Sequence, residues 1–115
     1  MTIERFAPGP RFCRALSHNG TVYLAGLTAD DLSGDTTAQT REILAKIDSH
    51  LALAGSDKTR ILSATIWLRD IADFEMMNAA WDKWIDRDAM PVRATVEARL
   101  AGDGYRVEIM VIAAQ

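Results

Sequence analysis

Arg93 and Glu108 are charged residues set into alternating, strand-like stretches near the C-terminal end of a 115-residue chain. A guanidinium offers a planar fork of donors to an anion, and a carboxylate can carry protons. Alternation places Val92, Ala94, Val96 and Ala98 on one side of a strand and Arg93, Thr95, Glu97 and Arg99 on the other. Further on, Val107, Ile109 and Val111 share one face, and Glu108, Met110 and Ile112 the opposite one. If Ala101-Gly102-Asp103-Gly104 is a hairpin turn joining the two strands, Glu97 comes opposite Glu108 and Thr95 opposite Met110. Arg93 and Glu108 then share a face but stand roughly 13 Å apart along the ladder. One small ligand does not bridge that gap within a chain, so either a bulge shifts the register or the site forms between subunits. The second is the expectation. Pattern alone also fits a surface or interface salt bridge for each residue, and it does not define an enzyme.

Asn78 lies beside the apolar face of a predicted helix, four residues after Phe74 and three before Trp81. A buried amide needs a partner, so it either bonds a loop carbonyl or walls a ligand pocket. Cys13 is the only cysteine and reads as a small buried hydrophobe in a reducing, cytoplasmic compartment. His18 and His50 stand alone, and no Cys/His/carboxylate spacing suggests a metal.

Composition narrows the class. Apolar residues make up 49% and charged residues 25%, with a formal net charge of -3, as in a soluble globular domain. No basic stripe suggests nucleic acid, and no apolar run is long enough to cross a bilayer. The start, Met1-Thr2-Ile3-Glu4-Arg5, is mixed and polar, unlike a secretory leader. One domain over residues 1–115 is expected.

The elements that must position these residues follow from periodicity. Residues 12–18 and 21–27 read as strands joined at His18-Asn19-Gly20. A helix is predicted from Thr36 to Ala54, capped by Asp35 and closed by Gly55, with Ile43, Leu44, Ile47 and Leu51 on one stripe. A strand over 60–68 puts Leu62, Ala64, Ile66 and Leu68 on one face and Ser63, Thr65 and Trp67 on the other. A second helix, Phe74 to Ile85, is capped by Asp73 and buries Phe74, Met77, Trp81, Trp84 and Ile85. The order β-β-α-β-α-β-β predicts an α+β fold: a mixed β-sheet with two helices on one face. The uncovered face carries Trp67 and Ile112, which points to a homo-oligomer.

Several stretches together resemble the RidA/YjgF family over essentially the whole chain. They are Gly20-Thr21-Val22-Tyr23-Leu24-Ala25-Gly26, Gln39-Thr40-Arg41, the run from Ala64 to Phe74, Met77-Asn78-Ala79, the run from Pro91 to Leu100, and Val107-Glu108-Ile109. The resemblance implies a chorismate-mutase-like α+β fold, a homotrimer with clefts between subunits, and cofactor-free hydrolysis of 2-imino acids and their enamine tautomers to 2-keto acids and ammonia. It implies that Arg93 grips the substrate carboxylate and that Glu108 assists water attack and proton transfer. It also places Gly26, Asn78 and Thr95 at the ligand. The sequence departs from the family pattern at Arg11 and Phe12, where many active members carry a tyrosine after the Gly-Pro pair. It departs again at Thr95, often cysteine, and at Ala25-Gly26-Leu27, usually Ser-Gly-Gln. Arg11 and Phe12 are carried as candidate substrate contacts. Two other readings stand beside the deaminase: a non-catalytic trimer binding small carboxylates, and a ribonuclease, which the acidic balance disfavours.

Overall fold

The computed structural model describes residues 2–115; Met1, part of the polar start read above, lies outside them. In chain order the elements are β1 (Glu4–Pro8), β2 (Cys13–His18), β3 (Thr21–Leu24), α1 (Thr36–Leu53), β4 (Ile61–Leu68), α2 (Phe74–Trp84), β5 (Val92–Glu97) and β6 (Val107–Ala114), with 3-10 turns at Lys58–Arg60 and Ile71–Asp73. The strands form one six-stranded mixed sheet in the order β1-β2-β3-β6-β4-β5. This is the expected α+β architecture, with one strand more than the sequence pattern gave.

One face of the sheet makes the core. Val22 and Leu24 of β3, Ala64, Ile66 and Leu68 of β4, and Val107, Ile109 and Val111 of β6 are buried. They pack with Ile43, Leu44, Ile47 and Leu51 of α1 and Met77 and Trp81 of α2. The β2–β3 turn works because Asn19 and Gly20 both adopt positive φ, 53° and 76°, the twist that suits a two-residue hairpin. Helix α1 is capped as predicted: the Asp35 carboxylate accepts from Ala38 N at 2.9 Å, and Gly55 follows the helix at φ 77°. Buried Gln39 ties α1 to the approach of β6. Its amide donates to the Gly104 carbonyl at 3.1 Å and accepts from Arg106 N at 2.9 Å. Among the described residues no helix is long and apolar enough to cross a membrane.

The additional strand, β1, pairs with β2 along the sheet edge. Three expectations are corrected. Asp73 makes no cap bond to α2; it accepts from Thr36 Oγ1 at 2.6 Å instead, while Asp70 caps the preceding 3-10 turn. A register shift between Ile61 and Ser63 turns Leu62 outward and buries Ile61 in its place. Most consequential, β5 and β6 are not a hairpin. β5 runs parallel to β4 at the sheet edge, and β6 is inserted antiparallel between β3 and β4. Glu97 therefore aligns with Leu68, not with Glu108.

Candidate functional site

Arg93 aligns with Ala64 of β4, whose side chain is buried under the helices, so Arg93 points to the helix side. Its guanidinium carbon lies 5.0 Å from the Trp81 ring centroid and 5.7 Å from that of Phe74. Nη1 sits 3.9 Å from the Met77 sulfur. The rings stabilise the cation through their faces, and apart from the weak Nη1 bond to sulfur the guanidinium fork has no partner among the described residues. No ion pair engages Arg93 among the described residues. Burial pulls its pKa down from the ordinary arginine value, and the charges of Asp82 and Glu75 push it back up; an arginine stays protonated through such shifts. Beside it lies an open depression of about 300 Å³ lined by Asn78, Trp81, Asp82, Met90 and Pro91 together with Arg93. Asn78 thus sits half-buried on a pocket wall next to Arg93. Thr95 shares Arg93's side of β5, and its buried Oγ1 finds no hydrogen-bond partner among the described residues.

Glu108 aligns with Trp67 and lies on the other face of the sheet, the one without helices. Its carboxylate rests against Gly26: a Cβ added there would overlap Oε2. Glycine is required for that approach. The backbone makes room through a bulge. Tyr23 pairs with Ile112 and Leu27 with Ile109, so four steps on one side match three on the other. Burial raises the Glu108 pKa above the ordinary glutamate value. Arg11 and Phe12 form the exposed tip of the β1–β2 connection, and Arg14 stacks its guanidinium over the Phe12 ring at 5.1 Å.

The sequence-predicted residues therefore separate into two groups. Arg93, Thr95 and Asn78 gather at the β5 edge on the helix side. Glu108 and Gly26 gather on the open face. The expectation that Arg93 and Glu108 share a face is overturned, because it rested on the β5–β6 hairpin. Counting two strand spacings and three residue steps, their backbones stand roughly 14 Å apart with side chains aimed in opposite directions. The open face also carries Trp67, Val92, Val96, Met110 and Ile112, with Val92 72% and Val96 48% exposed. Sequence reasoning missed a cavity of about 350 Å³ beside Gly26, reached by Arg14, Lys46, His50 and Tyr105. The available signal was Arg14 itself, a charged residue in a strand whose alternate positions are apolar or small.

A mixed six-stranded sheet backed by two helices, with a strand arginine held by aromatic rings and a strand glutamate seated on a glycine bulge, defines an α+β protein of the YjgF type. The Endoribonuclease L-PSP family model matches residues 2–115. The chain is 44% identical to a RutC family protein of Haemophilus ducreyi, over 97% of this chain and 96% of that one. It is 30% identical to the 2-iminobutanoate/2-iminopropanoate deaminase of Capra hircus, over 95% of this chain and 82% of that one. The solved structure of a YjgF-family member from Neisseria meningitidis superimposes with a TM-score of 0.95 at 44% identity, covering 100% of this chain and 96% of that one. The chain belongs to the RidA/YjgF family.

Proposed function

We propose that this protein is a hydrolytic deaminase of 2-imino acids and their enamine tautomers, working in clefts between the subunits of a homotrimer. The observation that carries the reading is Arg93: a partly desolvated guanidinium, held by Trp81 and Phe74 and free of any carboxylate among the described residues. A planar fork of that kind suits the carboxylate beside a C=N bond, through two charge-assisted bonds of about 1.5–3 kcal/mol each. The deaminase relative from Capra hircus supports the same reaction class.

Water adds to the imine carbon, the nitrogen leaves as ammonia, and the keto oxygen comes from the water. Glu108 takes the proton from the attacking water and returns one to the nitrogen. Burial raises its pKa above the ordinary glutamate value, which favours holding a proton long enough to return it. Since Arg93 and Glu108 face opposite ways in one chain, the cleft pairs Arg93 of one copy with Glu108 of a neighbour. The apolar open face supplies the contact that brings the copies together. Imines hydrolyse readily in water, so positioning and one acid/base group meet the demand.

A binding trimer that captures small keto acids without turnover is the second reading. It is favoured by Arg11 and Phe12 at the place where many active relatives carry a tyrosine. The deciding experiment compares ammonia release from freshly generated 2-iminopropanoate with and without the protein. Acceleration supports the deaminase; keto-acid binding without acceleration supports the binding trimer.

A further inference from the structure

Arg14 stands on the same open face as Glu108. Its neighbours in β2, Ala15 and Ser17, are buried on the helix side, which turns Arg14 the other way. Arg14 pairs through its carbonyl with Ala25 N at 2.9 Å, one residue before the glycine that seats Glu108. Two strand spacings and about two residue steps separate the Arg14 and Glu108 backbones, roughly 12 Å. Both side chains rise over the same face, the guanidinium on a longer arm than the carboxylate.

The cavity beside Gly26 is polar and has one cation to spare. Lys46 is already neutralised, by Asp30 at 2.9 Å and Glu42 at 3.5 Å, and it donates to the Thr28 carbonyl at 2.8 Å. His50 meets the Lys46 carbonyl through Nδ1 at 2.7 Å, which requires a proton on that nitrogen. Arg14 has no ion pair among the described residues; its guanidinium stacks on the Phe12 ring. Stacking on a ring face orients a guanidinium while leaving its in-plane donors open.

We infer that the cleft is built for 2-imino dicarboxylic acids, with Arg93 of one copy holding the carboxylate next to the imine and Arg14 of the neighbour holding the distal carboxylate. This rests on the deaminase reading and on the shared cleft proposed above. Glu108 then stands between the two anchors, at the imine carbon. The reaction remains addition of water and loss of ammonia, giving a 2-keto diacid.

The test uses keto-acid products as stable probes. Binding of 2-oxoglutarate and of 2-oxobutanoate is measured by calorimetry on the full-length protein and on Arg14→Gln, an exposed substitution that leaves the core untouched. The expected wild-type preference for 2-oxoglutarate is about tenfold or more, the size of one charge-assisted bond. Arg14→Gln brings the ratio of the two affinities near unity. Equal wild-type affinities, or a preference that persists in Arg14→Gln, overturn the diacid assignment while the deaminase reading stands. Failure of both keto acids to bind, with no hydrolysis of 2-iminopropanoate, overturns both.

Discussion

Arg93 and Glu108 occupy opposite faces of one sheet, separated by β4 and by three steps along the strands. Their side chains leave the sheet on opposite sides, Arg93 with the core-forming row of β4 and Glu108 with Trp67. Any chemistry that uses both groups requires a second copy of the chain. The edge position of β5 and the apolar open face supply what such a contact needs: an accessible strand and side chains that gain from losing water.

Assembly is the first consequence. Light scattering or sedimentation at micromolar concentration should give a mass near three chains of 12.7 kDa each. Val96→Glu, on the exposed apolar face, should shift the population toward smaller species, because a charge buried in that contact has no partner. A monomeric wild type would remove the shared cleft.

Asn78 and Thr95 flank Arg93 and should respond differently to substitution. Asn78→Ala opens the pocket wall, so keto-acid affinity should fall by about tenfold while thermal stability changes little, the size expected for one lost ligand hydrogen bond. Thr95→Val removes a buried hydroxyl that has no partner among the described residues. It should raise unfolding stability by about 1 kcal/mol, since an unsatisfied buried group is replaced by a methyl. Denaturant midpoints and ligand titrations check both. Collapse of stability in Asn78→Ala with unchanged affinity per folded molecule would make its amide structural.

Glu108 ties stability to pH. Burial raises its folded-state pKa above the unfolded value, so the folded protein binds the proton more tightly. That contribution is full below the unfolded pKa and is lost as pH rises through the folded pKa. Glu108→Gln carries no such loss. The variant should therefore be the more stable protein at about pH 7, by less than about 1 kcal/mol because the carboxylate is still partly hydrated, and the gap should narrow toward about pH 4. Urea midpoints at the two pH values measure it. A wild type that gains on the variant as pH rises would show the carboxylate to be stabilising.

Most of the fold is legible in the residues because short-range physics sets it. Asp35 and Gly55 bracket α1, Asn19-Gly20 makes the first turn, and the alternation in β4 sorts Ala64 from Trp67. What escapes is pairing. Alternation fixes which residues share a face of one strand, but it does not say which strands are neighbours. The loop at Gly102–Gly104 looks like a hairpin turn, yet Gln39 holds it from α1 and leads β6 into the middle of the sheet. The face assignment of Arg93 relative to Glu108 depended on that pairing and failed with it. Arg93 and Glu108 stand out as charges in alternating strands, and the resemblance supplies their roles together with Gly26. Arg14 shows in the sequence only as a charge in a strand, and its place beside Gly26 comes from the pairing of β2 with β3.

The division of labour between Arg93 and Glu108 gives the sharpest prediction. Arg93→Ala should abolish both keto-acid binding and imine hydrolysis, because the substrate loses its forked partner. Arg93→Lys should recover little, since a point charge cannot make two fixed parallel bonds. Glu108→Gln should keep keto-acid binding and lose about 10²-fold or more in turnover, as for removal of a general acid/base. Each variant alone is then inactive for a different reason. Co-refolding Arg93→Ala with Glu108→Gln chains tests where the two groups meet. If each cleft takes Arg93 from one copy and Glu108 from the next, about one quarter of clefts in a random equal mixture hold both intact residues. Activity should return to about that fraction of wild type. Verified mixed oligomers that stay inactive would rule out a cleft shared between copies, and with Arg93 and Glu108 on opposite faces of one chain the catalytic pairing itself would have to be abandoned.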